Sequence, residues 1–419
     1  RHRLSQMRKD SSICVYLCKI GGEVTLTSST MMKTFTFKNF LSFKDETKFS
    51  LEREKNDDSH EDFSFKIQDV ELLKSAVVYG ANASGKSNFS KAFVSFHNFV
   101  VTSYANALNN RIPTVPFLLS SKTETEPSLF EIELMTKNKK YIYGFEVSQA
   151  KVFKEWLYQY PQKKILFDRI GNEIHSNNRH FKEATSALEK QTRSNVLFLS
   201  LLAANNGTIS NEVVEEIKKI NGYPAEDQGL ILDYGFNNYA KYKDFVDKFL
   251  QEGDYGIKKL SLEQRKATST HNKYDEQGKE VGEVVFDFMN QESSGTKKMI
   301  GLAALFANAL EEKKTLIIDE LNSSLHPLQC RFILDIFNSK KKNPHNAQLI
   351  FTTHDSSLLD NKILRRDQIF FVEKNKYGAS NLFSLSDLGE RKDSSYGKRY
   401  FEGRYGALPY IKSNENQWE

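Results

Sequence analysis

Ser75-Ala76-Val77-Val78-Tyr79 runs straight into Gly80-Ala81-Asn82-Ala83-Ser84-Gly85-Lys86-Ser87, and Phe89, Phe93, Phe96 and Val100 follow at helical spacing. A short apolar strand, a loop of small residues ending in Gly-Lys-Ser, and a helix with one apolar face make the pattern G-x-x-x-x-G-K-[ST] in the setting it requires. Small side chains let backbone N–H groups curl around a phosphate at a helix N-terminus, where the helix dipole favours negative charge. Lys86 is placed to reach the β- and γ-phosphates of a nucleotide, and Ser87 to ligate Mg2+. A chance glycine turn before Lys-Ser is the bland alternative, and both flanks speak against it. Asn88 opens the helix and reads as structural.

A second apolar strand, Thr315-Leu316-Ile317-Ile318, ends in the acids Asp319 and Glu320. Such a pair is common at the exposed end of a strand. With a phosphate loop in the same chain, Asp319 is expected to hold the metal shell and Glu320 to polarise an attacking water as general base. Gln291-Glu292-Ser293-Ser294-Gly295-Thr296-Lys297-Lys298 lies upstream, with 24 residues from Gly295 to Asp319, enough for one helix and one strand. Ser-Ser-Gly at a helix start makes an anion-binding N-terminus, or merely a capped helix. Downstream, Gln348-Leu349-Ile350-Phe351-Thr352-Thr353 ends in His354, 34 residues after Glu320. From Glu283 onward the texture is βαβ-like. Strands are expected at Val284–Phe288, Thr315–Asp319 and Gln348–Thr353, and helices at Gly295–Glu312 and Leu328–Ser339. Alternation of this kind predicts an α/β fold, a parallel sheet with helices on its faces.

Residues 32–90 read as a β-rich lobe, with strands at Phe35–Phe40, Thr47–Glu54, Phe63–Gln68 and Ser75–Tyr79, followed by a helix over 86–109. Residues 125–190 alternate again, with strands at Leu129–Met135, Lys140–Val147, Val152–Tyr158 and Lys164–Asp168. Residues 180–265 are mostly helical in pattern, as in Val213-Val214-Ile217-Ile220 and Phe245-Val246-Phe249-Leu250. Tyr274–Gly282 reads as a polar turn. The expected division is an extension outside the fold (1–30), an N-terminal lobe with the phosphate loop (32–94), a β-subdomain with a helical insertion (95–280), a C-terminal α/β lobe (281–385) and a basic-aromatic tail (386–419). An edge strand from Ile13 to Ile20 is the alternative for the extension.

The chain has 419 residues, two to three domains at about 150 each. Hydrophobic residues are 39% and charged residues 27%, which supports a core and excludes wholesale disorder. No stretch approaches the roughly 18 apolar residues of a membrane span, so no membrane partner is expected. Cys14, Cys18 and Cys330 make neither a disulfide framework nor a four-ligand zinc site, which fits a cytoplasmic location. The net charge of +5 permits a nucleic-acid partner without demanding one. Arg391–Tyr405 interleaves five basic residues with four aromatics. Cations on phosphates and rings on bases are one reading; aromatics docked on the fold, or a surface for a partner protein, is the preferred one. Lys137–Lys140 and Lys340–Lys342 read as solvated turns, and Arg365-Arg366 as a surface ion pair, with a γ-phosphate sensor role the alternative.

The order of these motifs resembles the ABC-type ATPases related to SMC and RecF proteins. Ser293-Ser294-Gly295-Thr296 sits where that class carries L-S-G-G-Q, with Thr in place of the second glycine and Glu292 before the serine pair. The resemblance implies a P-loop NTPase fold with an ABC-like head. It makes His354 a switch histidine meeting the γ-phosphate, and Leu321–Pro327 the loop that crosses a dimer interface, where His326 is structural. Ser294 and Gly295 of one head then face ATP and Mg2+ held on another, so a homodimer or a larger even-numbered assembly is implied. Phe35–Phe43, Gly80–Asn88, Ser194–Leu199, Leu316–Pro327 and Gly403–Pro409 look closer still to the AAA-labelled ATPases of bacterial abortive-infection and anti-phage defence systems, such as the PARIS and AbiL types. That resemblance covers roughly residues 32–410. It implies a sensor or scaffold holding a separate effector such as a nuclease. A RecF-like or SMC-like ATPase acting directly on nucleic acid is the alternative.

Overall fold

The computed structural model describes residues 31–108, 111–177, 179–253, 256–263 and 266–408. The expected extension over 1–30, with its alternative strand, lies outside the described residues. Two large sheets organise the chain. The first has seven antiparallel strands in the spatial order Glu173–Ser176, Lys164–Ile170, Val152–Tyr160, Lys140–Val147, Ser128–Met135, Met31–Lys38 and Thr47–Ser50. The second has six strands in the order Ile220–Tyr223, Thr315–Ile318, Gln348–Thr352, Ser75–Tyr79, Ile369–Lys374 and Ser380–Ser384. Its first five strands are parallel and the last is antiparallel.

The phosphate-loop helix Lys86–Thr102 lies between the sheets. Phe89, Phe93 and Phe96 pack with Phe35, Phe37, Phe49 and Phe145 of the antiparallel sheet and with Ala76, Val78, Ile317 and Ile350 of the parallel one. Phe35 and Phe93 stack with ring centroids 4.1 Å apart. Successive strand residues face opposite ways, so Val77, Tyr79, Leu316, Ile318, Leu349 and Phe351 fill a second core on the other side. There they meet the helices Gln228–Glu252, Ser294–Glu312 and Pro327–Asn338. The result is an α/β fold of the P-loop kind. A β-rich lobe covers one face of the parallel sheet and helices cover the other.

Several elements depart from the sequence expectation. Ile220 belongs not to the preceding helix, which ends at Lys218, but to the edge strand Ile220–Tyr223, paired in parallel with Thr315–Ile318. Four half-apolar residues carry no period of their own, so pairing decided their conformation. Val284–Phe288 is not a strand of the parallel sheet. Glu280–Asp287 closes a separate antiparallel meander with Lys259–Glu263 and Lys266–Tyr274. Local turn chemistry folds it, because Asp275 accepts the N–H groups of Gln277 and Lys279. The helix expected over 86–109 stops at Thr102, and the hydroxyl of Ser103 accepts the N–H of Leu197.

Arg365 corrects the expectation of a surface pair. Its side chain is fully buried, donates to both carboxylate oxygens of Asp367 at 2.9 and 2.8 Å, and also reaches the carbonyl oxygens of Asp57 and Ser59. Arg366 instead pairs with Glu54 and Asp57 at 3.0 and 3.2 Å. Arg365 therefore ties residues 57–59 of the N-terminal lobe to the C-terminal half. Arg365→Ala leaves Asp367 buried without its cation and Asp57 with Arg366 alone, and is expected to lower stability by about 3–5 kcal/mol in urea denaturation. A loss within experimental error would show the pair to be dispensable.

Candidate functional site

Parallel pairing sends every strand's C-terminal end to the same sheet edge, where ligands of open α/β sheets bind. Ile318 pairs with Phe351, Phe351 with Val77, Thr352 with Val78, and Phe371 with Tyr79. The phosphate loop, Asp319-Glu320, His354 and Lys374 therefore converge. A cleft of about 180 Å³ at that edge is lined by Asn82, Ala83, Gly85, Lys86, Ser87, Asn88, Glu320, His354 and Lys374. Gly85 has φ 118°, a backbone state that side chains disfavour, and a Cβ there would meet the hydroxyl of Ser380 at 2.4 Å. Ser380 also donates to the carbonyl of Ser84 and bonds Ser42, which accepts from Asn88 at 2.8 Å. The loop is thus held from outside by two serines, Ser42 and Ser380.

Lys86 is almost buried and donates to the carbonyl oxygens of Gly80 and Ala81, each at 2.9 Å. Burial pulls its pKa down to about 8, against the opposing fields of Asp319 and Glu320. A phosphate brought to the loop acts in the same sense as those two acids and favours the charged amine. Asp319 is buried. Its Oδ1 accepts from the Thr352 hydroxyl at 2.6 Å, and its Oδ2 is buried with no hydrogen-bond partner. An unpartnered buried carboxylate oxygen whose charge is felt at Lys86 fits an Mg2+ shell completed by waters and phosphate oxygens. Among the described residues no group of three or more His, Cys, Asp or Glu side chains could hold a metal by itself.

Glu320 adopts φ 50°, so the chain turns sharply after the acidic strand and swings this carboxylate into the cleft. Its N–H is fixed by the Thr352 hydroxyl at 2.8 Å. His354 Nε2 lies 3.8 Å from Glu320 Oε1, beyond a hydrogen bond. Burial and the nearby Lys86 amine lower the pKa of His354, which favours a neutral ring. Glu320, His354 and much of the phosphate loop thus line one cleft, with Asp319 buried next to Glu320 in sequence.

Ser294 and Gly295 do not line that cleft. They start the helix Ser294–Glu312, whose N-cap Ser293 accepts the Thr296 N–H at 3.1 Å. A Cβ on Gly295 would lie 2.5 Å from the carbonyl of Ser324, so the start of this helix rests on its own chain's 321–327 loop. His326 caps Pro327–Asn338 through a capping box, a structural role. Sequence reasoning missed three residues. Lys298 is buried and donates to the carbonyl oxygens of Glu320, Leu321 and Ser323 at 3.0, 3.2 and 3.0 Å, with burial lowering its pKa to about 8. Thr352 positions both acids, and Lys374 adds a second cation to the cleft. A hydroxyl in an apolar strand and a lysine at a strand end carry no signal without the sheet register.

A family model described as AAA domain, putative AbiEii toxin, Type IV TA system matches residues 75–360, more than half of the chain. The chain belongs to this family. The AAA match begins at the phosphate-loop strand and runs beyond His354, so it contains every cleft residue except Lys374. A curated relative, the energy-coupling factor transporter ATP-binding protein EcfA2 of Mycoplasmopsis pulmonis (strain UAB CTIP), is 30% identical over 149 residues. That stretch is 34% of this chain and 43% of the relative, so less than half of its length is matched. The SMC head domain from Thermotoga maritima aligns at a TM-score of 0.45 with 15% identity, over 84% of this chain and 98% of that one. An Smc head domain with an extended coiled coil, bound to the C-terminal domain of ScpA and derived from Pyrococcus furiosus, aligns at 0.37 with 14% identity, over 90% of this chain and 100% of that one.

Thr352→Val keeps the strand's shape and removes the hydroxyl shared by Asp319 and Glu320. The Mg2+ concentration giving half-maximal nucleotide binding is expected to rise several-fold, measured by fluorescence of a labelled ATP analogue. An unchanged Mg2+ titration would remove Thr352 from the metal shell's support.

Proposed function

We propose that this AAA-family protein binds ATP with Mg2+ and hydrolyses it at the cleft between residues 80–88 and Glu320. The carrying observation is the unpartnered Asp319 oxygen beside a phosphate loop and an acid facing a histidine. Lys86 and the loop N–H groups bind the phosphates, while Ser87 and Asp319 would hold Mg2+. The metal ion supplies neutralisation of charge on the phosphate oxygens. Glu320 accepts the proton of a water that attacks the γ-phosphorus; the bond to the β-phosphate oxygen breaks, and ADP and phosphate leave. His354, on the same cleft as Glu320 and with burial favouring its neutral ring, offers a hydrogen bond to the γ-phosphate.

Glu320→Gln keeps the shape without the base, and should bind ATP while turnover falls about 100-fold or more. Lys86→Ala should lose binding and turnover together. Wild-type turnover in Glu320→Gln would defeat the assignment of the acidic strand.

The exposed Ser294, which does not line its own cleft, supports a head-to-head arrangement in which ATP on one copy meets the start of the Ser294–Glu312 helix of another. Its helix N-terminus favours an anion. Gly295 is a poor site for the test because a side chain there strikes the Ser324 carbonyl. In a Glu320→Gln background, ATP should drive dimers or larger even-numbered assemblies, and Ser294→Asp should abolish them in sedimentation velocity. Identical assembly with and without Ser294→Asp would leave Ser293–Thr296 an ordinary capped helix.

The family description names a toxin of a toxin–antitoxin system, which supports a role in cytoplasmic anti-phage defence. In that reading the ATPase is the sensor or scaffold that controls a separate effector such as a nuclease. A neighbouring nuclease gene whose product copurifies with the ATPase is the expected finding. DNA-stimulated turnover with no such partner would favour the RecF-like or SMC-like alternative.

A further inference from the structure

A concavity of about 400 Å³ lies at the C-terminal tail and shares no lining residue with the nucleotide cleft. Arg391, Lys398, Arg399 and Arg404 line it with Asp393 and Glu402. A buried carboxylate shapes its wall. Glu390 accepts from the Ser394 and Tyr405 hydroxyls at 2.6 and 2.8 Å, from the Arg391 N–H at 2.9 Å, and from Arg399. Burial opposes its charge, yet these donors prevail and hold its pKa near about 2.

The other cations are free to change partners. The side chains of Arg391, Lys398 and Arg404 are 78%, 76% and 60% exposed. Arg391 pairs with Asp393 at 3.1 Å and Arg404 with Glu402 at 2.9 Å, while Lys398 stands 4.0 Å from Glu402. Exposed ion pairs of this kind contribute little and exchange readily. Their guanidinium forks already take carboxylates, the planar match that arginine favours.

The tail's rings are turned inward. Tyr396, Tyr400 and Tyr405 are buried, and Tyr400 stacks on Phe371 with centroids 5.6 Å apart. Three of four aromatics are therefore withdrawn from base stacking, which single-strand binding uses for much of its energy. Four lining cations against two carboxylates leave a surplus of two, which an acidic segment would neutralise. The concavity also abuts the cleft's own framework. Gly397 N–H donates to the Leu359 carbonyl at 2.8 Å, five residues beyond His354, and Phe371 belongs to the strand that ends at Lys374.

We propose that this concavity is a docking site for an acidic segment of a partner protein, whose carboxylates replace Asp393 and Glu402 on Arg391, Lys398 and Arg404. The proposal rests on the reading of the chain as an ATPase that holds a separate protein. It gives that reading a surface.

The test is fluorescence anisotropy of a labelled 12-residue peptide of alternating Glu and Asp, titrated with the full chain at near-physiological salt. The combined variant Arg391→Glu, Lys398→Glu, Arg404→Glu should weaken binding at least tenfold and leave ATP turnover unchanged. A milder variant with Gln at the same positions should fall between. Retained turnover shows that the variants fold. Wild-type protein that ignores the peptide, or variants that bind it equally well, would overturn the proposal. So would a 12-nucleotide oligothymidylate that binds more tightly through the same residues. Peptide binding by a protein without ATPase activity would defeat the hydrolytic reading alone, so the two failures are separable.

Discussion

Ser75–Tyr79 is paired in parallel on both sides, with Gln348–Thr352 on one flank and Ile369–Lys374 on the other. Because Thr315–Ile318 joins the same parallel run, four chain segments that are far apart in sequence finish at one edge. A one-residue slip in any of these strands would exchange the residues of its two buried faces and move its terminal side chain out of the cleft. The register is pinned from both faces. Ala76 and Val78 pack toward the phenylalanine-rich core, and Val77 and Tyr79 toward the helices. The site's geometry is thus a consequence of sheet packing, with hydrogen bonds such as those of Thr352 setting the last details.

Buried charge networks fix the periphery to this frame. Glu155 accepts the N–H groups of Phe198 and Leu199 at 2.7 and 3.0 Å and the Tyr143 hydroxyl at 3.0 Å. Arg169 completes it, 3.4 Å from Glu155 and donating to the carbonyl oxygens of Val196 and Arg193. Ser194–Leu199, one of the stretches that looked family-like, is therefore where a helix is capped on the antiparallel sheet. Its role is to seat the helix, and no side chain of it reaches the cleft.

Lys298 has the most direct bearing on function among the residues that no motif flagged. Its amine joins the Ser294–Glu312 helix to the carbonyl oxygens around Glu320, and so fixes the turn that carries the proposed base. Glu292 at the other side of the same helix start accepts from His271 Nε2 at 2.5 Å and from Ser269, joining the meander to it. The signature helix is thus braced on the meander and on the 321–327 loop of its own chain.

Local chemistry made some features legible in the sequence alone. The phosphate loop, its strand and its helix start were readable because small residues, Gly-Lys-Ser and apolar spacing act over a few residues. The acid pair, the His354 strand and the αβ alternation after Thr315 were readable because each strand is a short apolar run with a polar end. Only tertiary structure placed Ile220–Tyr223 in the parallel sheet, kept Glu280–Asp287 in its own meander, and buried Arg365, since an apolar run does not say which strand it will pair with and Arg365 meets partners about 300 positions away. Thr352, Lys298 and Lys374 became visible for the same reason: nothing in a neighbouring residue marks them, and their partners meet them only across the folded sheet.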